Sequence, residues 1–435
     1  MKRLAGLVIT ATLLSGSAQA GEAGDALIEH LYAGKAAQGL AVAGSACDAA
    51  DQEGCFALGL LKFVTAYEGL AQDLYRYGAT TPGTTAAAML LGLNMGAESI
   101  PANPNPEPLT YDALRTVLSD FVVDLDLART AFELSGGEGD YVITIDPLKV
   151  RIDFNGNGEA DAGETLGAVI ESFDNFDEFD EFDEFEVPDA PPPGGKSKTK
   201  DVEPAVVDTT IGFDRADAIW FAGYTQVTAA PFDLLLAHDF TDFFNAYLHR
   251  VFPKADLPMQ DYSRGGMLFM DPESDTGIAD IIAAIHTLNF PVTDAERLAG
   301  VLDRLKSITA LSRQNWELIL AETDDNRELV PSPSQTSLVP DTPVTQKTVD
   351  AWMATLDTVD QVLDGELLVP HWRFKQGFDL KAYFETATRT DLVMILTGAG
   401  ALPYLKDGPI ADAQSFAEAN EAFGVDWLNY VFWFN

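Results

Sequence analysis

Apolar side chains recur at three- and four-residue spacing over stretches too long to be strands, and that period limits the chain to a helical architecture. From Gly54 to Tyr77 the series is Phe56, Leu60, Phe63, Val64, Tyr67, Leu70 and Leu74; from Tyr111 to Leu134 it is Leu114, Val117, Leu118, Phe121, Leu125 and Leu127. Each series puts one apolar stripe along a helix, and such a stripe has to be buried against another element. The same reading predicts long helices over 213–250, 275–288, 294–322, 344–363 and 412–432. Few segments alternate as strands do, and no repeat of fixed solenoid length is evident. The expected fold class is mainly α, a multi-helix globular protein.

One short stretch breaks the pattern. The twelve residues Asp153-Phe-Asn-Gly-Asn-Gly-Glu-Ala-Asp-Ala-Gly-Glu164 carry oxygen-bearing side chains at the first, third, fifth, ninth and twelfth positions: Asp153, Asn155, Asn157, Asp161 and Glu164. Gly158 is sixth, where the chain turns sharply, and Glu159 is seventh, where the backbone carbonyl is the ligand. This is the spacing of an EF-hand calcium loop. A hard divalent cation takes six to eight oxygens, and the spacing wraps them around one point. The simpler alternative is a surface turn in which Asn and Asp cap their own backbone. Ala160 stands at the eighth position, where a larger aliphatic residue usually pairs with a partner loop. Upstream, residues 141–145 are β-branched and precede Pro147, so a strand enters the loop in place of a helix. Downstream, residues 165–171 read as a short helix. The unit is thus strand–loop–helix and resembles dockerin-type and other extracellular EF-hand-like loops. With carboxylate ligands only from Asp153, Asp161 and Glu164, binding falls in the weak range of roughly 10⁻⁴–10⁻³ M, which suits a structural site outside the cell.

Residues 1–20 read as a secretory signal, with Lys2 and Arg3, an apolar segment from Leu4 to Leu14, and Ala18-Gln19-Ala20 before the cut. No later apolar run approaches the roughly 18–20 residues of a membrane span. The expected location is periplasmic or extracellular. Net charge is −41, and two units more negative once the signal is removed. Nucleic acid and anionic membrane surfaces both require a basic footprint, so neither is an expected partner. The two cysteines, Cys47 and Cys55, are expected to pair in a disulfide, because two thiolates alone fall short of a zinc site.

Residues 173–185 repeat a Phe-Asp-Glu tripeptide and run into Pro- and Lys-rich sequence. Between Glu171 and Asp189 there are ten acidic residues and no basic ones. Self-repulsion and the missing 3.6-residue period predict a disordered acidic linker. The expected organisation is a signal peptide (1–20), an N-terminal helical region (21–135), an EF-hand-like unit (136–172), the linker (173–208) and a C-terminal helical region (209–435).

Other constellations are weaker. His238, Asp242, Asn245 and His249 fall at i, i+4, i+7 and i+11 on the helix expected over 213–250 and share one stripe that could hold zinc or a general base. Against this, Phe240, Phe243, Phe244, Tyr247 and Val251 form the apolar face and leave that stripe where solvent would be. The acidic run from Glu322 to Glu328 could hold a second cation, but it matches no cation-loop spacing and reads as a solvated helix end. No His-Glu-x-x-His, Gly-x-Ser-x-Gly or phosphate-binding glycine loop occurs, so no catalytic signature is present.

The segments 213–220 (Phe213-Asp-Arg-Ala-Asp-Ala-Ile-Trp220), 234–240, 312–316, 322–325 and 432–435 resemble an uncharacterised family of exported bacterial proteins carrying one EF-hand-like calcium loop. The resemblance implies one integrated exported protein and brings no activity. The expected function is therefore that of an exported calcium-binding protein, with calcium as its cofactor. The alternatives are a divalent-metal-dependent periplasmic hydrolase and a cell-surface interaction protein that uses the Phe-rich acidic stretch.

Overall fold

The computed structural model describes residues 21–80, 103–137, 139–161, 163–168, 208–259, 272–338, 344–424 and 427–434. The signal expected over 1–20 and the acidic stretch expected over 173–208, apart from Asp208, lie outside the described residues. The fold is mainly α, with strands confined to two-stranded pairs.

Among the described residues three helices come first: α1 (Glu22–Tyr32), α2 (Ala36–Asp48) and α3 (Gln52–Arg76). The expected disulfide is present: Cys47 and Cys55 join the end of α2 to the first turn of α3, with Cα atoms 4.4 Å apart. In the chain-entropy view, closing so small a loop stabilises by roughly 2–3 kcal/mol. Next comes α4 (Tyr111–Ser135), whose N-terminus is capped by the Thr110 hydroxyl accepting from the Ala113 N–H at 3.1 Å. Helices α3 and α4 pack side by side. Their approach is close at Gly59, where a Cβ would lie 2.6 Å from the Phe132 ring. Among the described residues α3 is also the helix long and apolar enough to cross a membrane by length and composition, but it is a core helix here, with Phe56 and Leu61 buried.

The strand β1 (Ile143–Ile145) leads through a 3₁₀ turn (Pro147–Lys149) into the 153–164 loop, after which residues 166–168 are helical. Its partner is β2 (Ile211–Phe213), antiparallel, with Ile143 opposite Phe213. Segments on the two sides of the acidic stretch are thereby hydrogen-bonded to each other.

The helix expected over 213–250 is interrupted. It forms as α5 (Arg215–Leu236), α6 (Thr241–Tyr247) and a 3₁₀ turn over Leu248–Arg250. Asp239 starts the new helix by accepting from both the N–H (2.9 Å) and the hydroxyl (2.6 Å) of Thr241. The freed C-terminal carbonyls of Leu236 and His238 each take a hydrogen bond at 2.7 Å from the Arg115 guanidinium of α4. Helices α7 (Pro272–Thr287) and α8 (Ala295–Ala321) flank β3 (Asn289–Pro291), and α9 (Gln346–Leu363) begins with a Thr345/Thr348 capping box. The remainder is made of β4 (Gly377–Phe378), α10 (Leu380–Thr386), β5 (Arg389–Asp391), α11 (Leu392–Thr397) and β6 (Leu405–Lys406). The helix expected over 412–432 is also divided, into α12 (Ala417–Phe423) and α13 (Trp427–Phe434). Gly424 between them has φ +56°, a left-handed conformation that ends α12.

Cores form across these elements. Leu70, Phe121, Leu125, Phe240 and Phe244 share one cluster. Phe56, Phe132, Ile143, Phe154 and Phe213 share a second, which runs under the loop. Trp316, Trp352 and Phe434 centre a third. Phe132 and Phe221 stack with ring centroids 5.2 Å apart.

Candidate functional site: the 153–164 loop and a second carboxylate cluster

The loop folds around its own first and last residues. Asp153 is buried, and its two carboxylate oxygens are wrapped by backbone N–H groups. Oδ1 accepts from Gly156 (2.8 Å) and Asn157 (3.2 Å), and Oδ2 accepts from Gly158 (2.8 Å). The sharp turn needs left-handed backbone at Gly156 (φ +71°) and Gly158 (φ +88°), which glycine adopts without strain. The Asn155 and Asn157 amide oxygens accept from the N–H two residues on, at 3.0 and 2.7 Å, so each forms an Asx turn.

Glu164 is turned inward and buried. Its Oε1 accepts from the Asn155 amide at 2.8 Å, and its Oε2 accepts from the Asp161 N–H at 2.8 Å. The loop is closed behind by Ile152 N–H donating to the Glu164 carbonyl at 3.0 Å. Asp153, Asn155 and Glu164 are thus brought together, while Asn157, Glu159 and Asp161 stand on the exposed rim. The carboxylates in the middle are held by neutral N–H donors.

A third carboxylate comes from outside the loop. Glu68 of α3 accepts from the Asp153 N–H at 3.2 Å, and Gln72, one turn on, donates to the Asp153 carbonyl at 2.8 Å. Burial pushes the Glu68 carboxyl above its usual range, the Asp153 N–H opposes this, and the charges of Asp153 and Glu164 add to it. Sequence spacing carries no sign of Glu68, because it sits within an unbroken helix 85 residues upstream.

Among the described residues, the carboxylates whose oxygens converge within 4.8 Å of one another belong to a different place: Asp214, Glu322 and Glu328. Asp214 caps α5 by accepting from the Ala216 N–H at 2.7 Å, and Asp217 completes the capping box by accepting from the Asp214 N–H at 2.9 Å. Glu322 ends α8 and accepts from the Gln335 amide at 2.9 Å; Glu328 accepts from the Asn326 N–H at 2.9 Å. The reading of 322–328 as a solvated helix end is therefore corrected for Glu328, which is buried, because α5 and α8 run side by side and bring Asp214 and Asp217 against it. Burial pushes Asp214 up to about 6, Glu322 to about 8 and Glu328 to about 7, with neighbouring negative charges adding to each. Asp217 is raised well above its usual range by burial and by Asp214. In sequence the signal was present only as an Asp-x-x-Asp pair before one helix and an acidic run after another.

The histidine stripe is not formed. His238 lies in the break between α5 and α6, its ring nitrogens at hydrogen-bond distance from the Leu234 carbonyl (2.6 Å) and the Thr390 hydroxyl (2.7 Å). His249 lies in the 3₁₀ turn with Nε2 3.1 Å from Asp280. The two rings have different partners because the helix expected to align them is broken. Burial holds His238 below the usual histidine range.

Four of the five segments that carry the family resemblance also meet in space. The Trp220 indole donates to the Trp433 carbonyl at 2.9 Å, the Ser312 hydroxyl to the Phe434 carbonyl at 3.5 Å, and Asp214 faces Glu322. Comparison with protein-family models, with curated proteins and with solved structures gives no match.

Proposed function

We propose that this is an exported calcium-binding protein in which the 153–164 loop holds one structural calcium ion. The observation that carries the reading is the pair of buried carboxylates, Asp153 and Glu164, around which the loop is folded with only neutral donors for company. The donor set is all oxygen, as a hard cation requires. Asp153, Asn155, Asn157, Asp161 and Glu164 would hold the ion by their side chains and Glu159 by its carbonyl. Bound there, calcium would supply charge neutralisation to a loop that Glu68 and Gln72 already tie to α3. Export to the periplasm or beyond rests on residues 1–20, and calcium is plentiful enough outside a cell to fill a site of millimolar affinity.

A ligand that binds only the folded state stabilises it by about 2.7 kcal/mol at one hundred times its dissociation constant. A thermal melt with increasing calcium should therefore rise in midpoint, and the rise should vanish in Glu164→Ala. No shift up to ten millimolar calcium, or an equal shift in the variant, would overturn the reading. The hydrolase alternative loses its histidine stripe. The converging Asp214, Glu322 and Glu328 oxygens could hold a divalent ion for it.

A further inference from the structure

A cavity of about 790 Å³ opens between α5, α8, α9 and the C-terminal helices α12 and α13. Its size lies within the roughly 300–1,000 Å³ range of small-molecule sites. Six aromatic side chains line it: Tyr224, Trp352, Phe416, Phe423, Trp427 and Phe432. Between them the walls are aliphatic, as at Val227, Ile308 and Leu356.

Most polar side chains in the walls have partners elsewhere, and the Asn420 amide, at the exposed edge, donates to the Ala413 carbonyl at 3.3 Å. The Thr309 hydroxyl donates to Asp360 at 2.6 Å, the Thr355 hydroxyl to the Ala351 carbonyl at 2.7 Å, and the Trp352 indole to the Ser312 hydroxyl at 2.9 Å. The Tyr224 hydroxyl donates to the Phe432 carbonyl, and burial pushes its pKa up to about 12, so it stays neutral. Among the described residues that line it there is no Lys, Arg or His. The one charge among the described lining residues is Asp412, whose Oδ1 accepts from Gln414 N–H (2.9 Å), Ser415 N–H (3.0 Å) and the Ser415 hydroxyl (3.2 Å). These bonds hold its pKa below the usual range, so it is anionic.

Two consequences follow from this chemistry. Water against such walls is unfavourable by about 25 cal/mol per Å² of apolar surface, so an apolar occupant gains by replacing it. An anionic headgroup would find no cation to pair with and would face Asp412 inside a chain of net charge −41. Two aromatic side chains, Trp427 (48% exposed) and Phe432 (59% exposed), leave apolar area in contact with solvent where an occupant would cover it. We propose that this cavity is a binding site for one uncharged, hydrocarbon-rich molecule of lipid size. It shares no residue with the calcium loop, so the two readings stand or fall separately.

The uncharged dye Nile red tests the proposal on the purified chain. The expected result is a saturable rise in emission with one dye per chain, the same in chelator as in calcium. Cavity-filling variants Thr355→Trp and Val227→Trp should each weaken it by at least about tenfold while the far-ultraviolet dichroism stays native, and hexadecan-1-ol should displace the dye at about tenfold lower concentration than hexadecanoate. Energy transfer from tryptophan to the dye should fall in Trp427→Phe, which places the dye without any filling substitution. Absence of a saturable signal, undiminished binding in a natively folded filling variant, equal competition by hexadecanoate, or transfer unchanged in Trp427→Phe would each overturn it.

Discussion

On the proposed function Asp153 would have two roles, one in shaping the loop and one in holding the ion, that a calcium measurement alone would merge. Its three N–H contacts shape the loop whether or not an ion is bound, and hydrogen bonds to a charged acceptor contribute about 1.5–3 kcal/mol each way. Asp153→Ala should therefore destabilise the chain by about 2 kcal/mol even in chelator, as read by urea denaturation. Glu164→Ala should remove the calcium response with a smaller chelator-state cost; equal losses for both variants in chelator would sink this division of labour. The acids at the start of α5 make a separate prediction. Asp214, Glu322 and Glu328 hold their protons more tightly folded than unfolded, with folded values of about 6, 8 and 7. The stability they contribute is full below about pH 4, where the unfolded acids are also protonated, and drains away as pH rises through 6 to 8. In chelator the melting midpoint should fall from pH 5 to pH 9. Glu322→Gln should flatten the fall and add about 2 kcal/mol at the alkaline end. Stability that is flat or rising over that interval in the parent chain would show that the cluster is not desolvated as described.

Helix boundaries separate what local periodicity dictates from what distant partners impose. α3, α4, α8 and α9 begin and end within a few residues of the limits their apolar spacing predicts, because each has a continuous stripe and most carry a cap at the start. The break at Ala237–Phe240 has no glycine or proline to announce it. It exists because Arg115 of α4 takes the carbonyls of Leu236 and His238, while the Ala237 carbonyl accepts from Thr293 and Asp294 N–H at 2.9 and 3.1 Å. Replacing Arg115 by Met leaves those carbonyls buried against an apolar stem. A loss of about 2–3 kcal/mol is expected in chemical denaturation, and a change below 0.5 kcal/mol would remove Arg115 as the cause of the break.

At the scale of the whole molecule, segments that flank the acidic stretch share the same interior. β1 pairs with β2, α4 packs on α5, and Phe56 meets Phe213 with ring centroids 6.0 Å apart. A protease site inserted between Glu171 and Pro204 and then cut should leave two pieces that co-elute in gel filtration and melt in one transition; separation into independently folded halves would contradict the shared core. By itself the sequence determined the helical class, the Cys47–Cys55 pairing and the local turn chemistry of the 153–164 loop, because each depends on contacts within a few turns of chain. It gave no sight of Glu68 beside the loop, of Asp214 and Asp217 against Glu328, or of the cavity walled by α5, α9 and α13. Those juxtapositions join residues scores to hundreds of positions apart, and only the way the helices pack decides which faces meet. The same packing separates His238 from His249, since a stripe on one helix survives only where the tertiary partners let that helix continue.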